Sequence, residues 1–333
     1  MPTQHPHPTK KSHFLPTLQE IIETEKPPGI PKETAWIWGQ DDEVGRINLL
    51  TPPHVKSVLA TEQQHGIVSS LNWAMTLPQE PGFARQACQQ RLEPFKDILV
   101  NDEIIHMNTQ SGSQLDGFRH IAHQPSKLFY NNLTQEEIAD GASTRCGIQA
   151  ASRRGIVGRG VLLDFVRWAE ARDLEFDPFD SYAITLDQLL QVAGWEGVEF
   201  RGGDILLVRT GWIRKYNTSL ANHEHDELKR VAAEHPRAIG LESSEGMKTW
   251  LHDQYFAVVG GDQPAFEVWP PPQTPILHEY LLACWGIMIG EMLDLEDLSE
   301  KCSEVGKYSF VFMSAPLNLP GGVATLANAL CVL

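Results

Sequence analysis

Basic residues are scarce in this chain: Lys and Arg number 27 against 43 Asp and Glu, a formal net charge of −16. Wrapping DNA or RNA needs a basic stripe, and docking on anionic lipid needs clustered cations. Neither partner is expected, and the charge favours solubility without speaking to the chemistry. Cysteine is equally sparse. Cys88, Cys146, Cys284, Cys302 and Cys331 are an odd set without a CxxC pair, so neither a zinc knuckle nor a disulfide framework is expected. No apolar run approaches the ~18 residues of a membrane span. The stretch from Met1 to Lys11 is rich in Pro and His and has no apolar core, unlike a secretory signal. These features point to a soluble cytoplasmic protein. GxSxG, HExxH, P-loop and strand-linked GxGxxG patterns are all missing, which removes serine-hydrolase, zincin, NTPase and Rossmann readings. No internal repeat of about 20–50 residues occurs, so a solenoid or propeller is excluded.

What is present suits a large core. The 333 residues are 42% hydrophobic, within the ordinary globular range. Residues 1–30 read as a flexible N-terminal arm, with a short docking helix over Phe14 to Ile22. Residues 31–333 read as one α/β domain. Strand patterns fall at 66–75, 102–110, 160–166, 204–212, 256–262 and 286–293, several of them continuous apolar runs bounded by Gly or Asp. Helices fit 52–64, 133–140, 186–195, 244–254 and 275–284; in the last, Thr274 is placed as N-cap with Pro275 at the first helical position. The fold class is therefore α/β, a single domain with a mixed sheet and flanking helices.

The densest polar segment runs from Gln110 to His123. Gln110, Gln114 and Asp116 share parity, yet a straight strand at ~3.3 Å per residue would hold Gln110 and Asp116 about 20 Å apart. Ser111-Gly112-Ser113 offers the remedy, because glycine permits a bend that folds the segment back. Asp116, His120 and His123 then fall at i, i+4 and i+7, one face of a turn if the stretch is helical. A carboxylate and an imidazole so placed would polarise a water. The competing reading is a polar loop whose Gln and Ser cap backbone ends. His278, in the first turn of its helix, and Glu291, ending the apolar strand GIMIG, form a second pair, since a carboxylate at the mouth of a buried strand is costly unless paired or ligated. His106 reads as a packing or supporting residue, and His223, His225, His235 and His252 as exposed.

Taken in order, these segments resemble the cyclase family of metal-dependent hydrolases, which includes kynurenine formamidase and isatin hydrolase. WGQDDEVGRINLLTP, GRGVLLDF, ITLDQLLQVAG, GDILLVRTGW, HEYLLACWGIMIGEMLDLEDL and PLNLPGG carry the likeness from Trp36 to the C-terminus. The resemblance implies the family's swivelling β/β/α-like fold. Its signature, His-x-Gly-Thr-His-x-Asp-x-x-x-His, falls on Gln110, Gly112, Ser113, Gln114, Asp116 and His120, with glutamine at both positions of the ligand histidines. It implies Asp116, His278 and Glu291 as metal ligands, Gln110 and Gln114 as weak or supporting ligands, and His120 as the acid/base. Amide oxygens are poor for Zn²⁺ and suit harder cations, so Mn²⁺ or Mg²⁺ is expected ahead of Zn²⁺, with a metal-free pocket as the alternative. The implied activity is hydrolysis of a cyclic or aryl amide, lactam or lactone. A metal-independent cyclase, dehydratase or isomerase, using His120 with Asp116 or Glu291, is the second reading, and a non-catalytic binding relative the third. Trp36, Trp38, Phe118, His123 and Tyr130 are expected against a ring-bearing substrate. The resemblance also implies a homodimer or homotetramer.

Overall fold

Continuous apolar runs dictate the centre of the molecule. In the computed structural model, which describes residues 15–271 and 276–333, the strands in chain order are β1 (Val68–Ser70), β2 (Gln89–Pro94), β3 (Asn101–His106), β4 (Gln114–Asp116), β5 (Ile156–Asp164), β6 (Ala183–Ile184), β7 (Ile205–Arg209), β8 (Gly240–Leu241), β9 (Val258–Gly261), β10 (Met288–Glu291), β11 (Ser309–Ser314), β12 (Ala324–Leu326) and β13 (Ala329–Val332). Nine of them form one mixed sheet in the order β1-β13-β11-β5-β7-β9-β10-β4-β12. The run β5-β7-β9-β10 is parallel, and β7, β9 and β10 are buried at every residue. Strands covered on both faces need no polar alternation, which is why they read as unbroken apolar runs.

Helices cover the sheet where the sequence places them. The helix Leu186–Glu196 opens on a capping box, Thr185 and Gln188 bonding reciprocally, and Glu245–Asp253 is capped by Ser244; such caps satisfy the first orphan N–H groups. The segment Glu279–Cys284 winds as a wider π-helix buried throughout. The N-cap expected at Thr274 and the Pro275 start lie outside the described residues. No helix among the described residues is long and apolar enough to cross a membrane.

Two expectations change. Residues 15–30, expected in a flexible arm, are held, and the short docking helix expected there is present at Leu18–Glu23, with Leu18 and Ile21 buried. The Leu18 N–H donates to Asp253 Oδ1 (2.7 Å) and the Tyr255 hydroxyl to the Pro16 carbonyl (2.5 Å). The apolar pair outweighs the Pro-rich context; residues 1–14 lie outside the described residues. The strand expected over 102–110 is real but does not join the main sheet. It pairs only with β2 in a hairpin whose side chains Leu92, Phe95, Ile98, Leu99, Ile104 and Ile105 are exposed. His106, on that hairpin, is exposed and bonds Gln86 (2.9 Å) instead of packing.

Candidate functional site

The site is made by strand register. β4 pairs antiparallel with β10, placing Gln114 opposite Glu291 and Asp116 opposite Ile289. Side chains alternate along a strand, so Gln114 and Asp116 share one face and Glu291 meets them there. The bend before β4 then returns Gln110 to the same face, and its amide donates to Asp116 Oδ1 (2.7 Å). Gly112 is what allows it: a Cβ there would stand 2.7 Å from the Leu77 carbonyl oxygen.

His278 enters from the π-helical side. Its Nδ1 lies 2.5 Å from Glu267 Oε2 and its Nε2 2.9 Å from Glu291 Oε1, while Asp116 Oδ2 is 3.9 Å from Nε2. Asp116, His278 and Glu291 each offer one ligand atom, and the three atoms lie within 4.8 Å of one another. All three residues are buried. The Gln114 amide nitrogen donates to Glu291 Oε2 (2.7 Å) and to Gln110 Oε1 (2.5 Å). Carboxylates only accept, so both glutamines must turn their nitrogens toward them. Two buried oxygens are left without a partner, Asp116 Oδ2 and Gln114 Oε1. Orphaned buried acceptors are costly, and a cation satisfies them. The donor set therefore fits a divalent ion, with Glu267 fixing the far ring nitrogen of His278 as a carboxylate behind a metal-bound imidazole does.

Charge in the cluster is strongly coupled. Burial alone would lower the His278 pKa, but the Glu267 charge and hydrogen bond, joined by Glu291, raise it well above the usual value. Glu267 is pushed up by burial and brought below its ordinary value by that same imidazolium. Burial and the neighbouring Asp116 charge raise Glu291 to about 7, against the pull of His278 and Arg85. His120 is lowered, chiefly by burial, with Asp116 opposing. It is thus a neutral imidazole near neutral pH.

The sequence expectations separate cleanly. Asp116, His278, Glu291, Gln110 and Gln114 come together, and His120 Nε2 stands 4.0 Å from Asp116 Oδ2. The helical reading behind the Asp116–His120–His123 spacing is corrected. Gln114–Asp116 is a strand, and a turn closed by the His120 N–H on the Gly117 carbonyl (3.1 Å) brings His120 back. His123 is carried away to Ser126 (2.9 Å) and the Tyr280 ring. Phe118 and Tyr130 are core residues whose rings pack at a tilt of 42° with centroids 4.6 Å apart, and the Tyr130 hydroxyl donates to Asp42 (2.8 Å). Trp36 is half-buried, donates to the Ala283 carbonyl (2.8 Å) and lines a groove of about 750 Å³ with no residue of the Asp116 cluster in its wall. Trp38 is half-buried nearby in sequence. His252, expected exposed, is fully buried.

Two residues were not foreseen. Glu267 sits in the otherwise apolar stretch Ala265-Phe266-Glu267-Val268-Trp269 and is fully buried; a lone acid inside an apolar run was the available signal. Arg85 donates to the Gln110 carbonyl (2.7 Å), and no spacing rule relates the two.

The Cyclase family model matches residues 32–268. A crystal structure described as a novel cyclase aligns at 27% identity with a TM-score of 0.76, covering 89% of this chain and 96% of its own. Isatin hydrolase A from Labrenzia aggregata, bound to benzyl benzoate, aligns at 16% identity and TM-score 0.55, covering 80% of this chain and 93% of its own. An isatin hydrolase bound to the product analogue thioisatinate aligns at 15% and 0.53, covering 85% and 99%. At such identities the isatin hydrolases speak for the fold. No curated protein matches the sequence.

Proposed function

Because this chain belongs to the cyclase family, we propose that it is a hydrolase that opens a cyclic or aryl amide, a lactam or a lactone with a metal-activated water. The observation that carries the reading is the buried, unpartnered Asp116 Oδ2, placed between His278 Nε2 at 3.9 Å and His120 Nε2 at 4.0 Å. Asp116, His278 and Glu291 would hold a divalent ion, with Gln114 Oε1 a further oxygen donor. Two carboxylates, one imidazole and amide oxygen suit Mn²⁺ or Mg²⁺ better than Zn²⁺. When bound, such an ion acidifies a water and polarises a carbonyl.

The chain's own groups supply the rest. The gap between His120 and Asp116 is the span that one shared water bridges. His120, neutral and only partly buried, takes the proton of that water at Nε2 and returns it to the departing nitrogen or oxygen. Asp116 orients the water through Oδ2. Glu267 holds the His278 ring in place, and Gln110 and Gln114 fix the two carboxylates. Burial of the cluster keeps bulk water from competing.

A panel containing an N-aryl lactam, an aryl formamide and an aromatic lactone, offered to the Mn²⁺-loaded protein, tests this. The expected result is turnover of at least one member, lost on chelation and restored by Mn²⁺. A second reading has one observation in its favour: amide donors already satisfy Asp116 Oδ1 and Glu291 Oε2. A metal-independent acid/base cyclase, dehydratase or isomerase would keep its activity in EDTA and lose it in His120→Ala.

A further inference from the structure

We propose that Arg85 anchors a carboxylate on the substrate, so that this site prefers an anionic small molecule to its neutral counterpart. The inference rests on the reading of Asp116, His120, His278 and Glu291 as the reaction centre, and it adds a substrate class to that reading.

The chain carries a formal charge of −16; of its buried guanidinium groups, Arg46 and Arg119 donate to backbone carbonyls and others are ion-paired. Arg159 pairs with Asp204 at 2.7 Å, and Arg209 with Asp164 at 2.8 Å. Among the described residues Arg85 has no ion-pair partner; its one hydrogen bond runs from Nη1 to the Gln110 carbonyl (2.7 Å). Gln110 in turn donates to Asp116 Oδ1 (2.7 Å), so the cation stands one residue removed from the cluster. Its charge is felt at both His120 and Glu291.

The backbone works to keep it there. Phe83 and Ala84, immediately before Arg85, are consecutive non-glycine residues at φ 60° and 53°. This left-handed region is costly for such residues and persists where surrounding structure enforces it, often at functional sites. The Phe83 N–H donates to the Ala233 carbonyl (3.1 Å), its ring packs edge-on to Trp269, and the guanidinium lies over it at 4.7 Å. Stacking on an aromatic face leaves the edge of the guanidinium, with its N–H fork, for a planar anion.

Beside it is a narrow cavity of about 10 Å³, walled by Phe83, Arg85, Gln110, Ser111, Trp212 and Met292. That volume admits about one water-sized group. Mainly apolar walls, one cation and a hydroxyl make a niche for a single carboxylate oxygen, the ring that bears it lying outside the niche. A neutral group there would leave the arginine desolvated and unpaired, the penalty that makes polar recognition selective.

Isothermal titration of the whole, Mn²⁺-loaded protein with benzoate and with its neutral isostere benzamide tests the assignment. The wild type is expected to bind benzoate at least tenfold more tightly than benzamide. Arg85→Gln is expected to erase that preference, and Arg85→Lys to keep part of it; each variant is read against its own benzamide affinity, which cancels any general disturbance of the cleft. Equal affinities in the wild type, no benzoate binding, or a preference that survives Arg85→Gln would overturn the proposal. The last outcome would place the carboxylate on the metal. Because no turnover is measured, failure of the hydrolase reading and failure of this one are distinguishable.

Discussion

His120 and Glu267 act on the same few ångströms by different means. His120 moves the proton, so His120→Gln is expected to lower turnover by about 10²–10⁴-fold while leaving Mn²⁺ affinity within a small factor; single-turnover rates and titration calorimetry separate the two. Glu267 acts through His278. Loss of a carboxylate behind a metal-bound imidazole typically weakens metal affinity about 10–100-fold, and Glu267→Gln is expected to do so with folding intact. Unchanged Mn²⁺ affinity in that variant would remove Glu267 from the site. Glu196, far from this chemistry, is a residue of stability. Burial, with the nearby Asp164 charge, raises its pKa to about 9 although it accepts the Asp164 N–H. The folded state therefore keeps a proton that the unfolded chain releases above the ordinary carboxylate pKa. Its stabilising contribution is complete below that range and is lost as pH rises toward 9. Glu196→Gln cannot ionise, so its unfolding midpoint should gain on the wild type steadily between pH 6 and pH 9.

At the scale of elements, the long apolar strands and capped helices were readable because their signals are local: β7, β9 and β10 lie within the runs that mark them, β5 overlaps its run and begins before it, and Leu186–Glu196 begins at its capping threonine. The bend at Gly112 was readable too, since distance alone ruled out a straight strand. Gly112→Ala would drive a methyl group against the Leu77 carbonyl at 2.7 Å. Overpacking of this sort costs about 1–3 kcal/mol, and the variant should unfold earlier in urea and lose the Gln110–Asp116 contact that the bend secures. What local signals cannot show is how elements meet. The 102–110 pattern is a strand, yet nothing in it says that its partner is β2 alone. Phe118 and Tyr130 have the composition of a ring-binding wall and the position of a core. Arg85 and Glu267 acquire meaning only when β4, β9 and β10 are side by side.

For the whole molecule, binding and folding are linked. An ion held only by the folded state raises stability by about 2.7 kcal/mol at a hundred times its Kd. Thermal unfolding followed by circular dichroism should therefore shift upward with Mn²⁺ and fall back with chelator, and Asp116→Asn should abolish the shift. A midpoint indifferent to Mn²⁺, Mg²⁺ and Zn²⁺ would overturn the metal-dependent reading.

β4 is only three residues long and is flanked by β10 on one side and β12 on the other, where Asp116 faces Ala324 and Gln114 faces Leu326. The acid that matters most is thus clamped between segments from the last stretch of the chain. A polypeptide that has not yet supplied Ala324–Leu326 lacks that outer rung, so the pocket is complete only once both flanking strands exist.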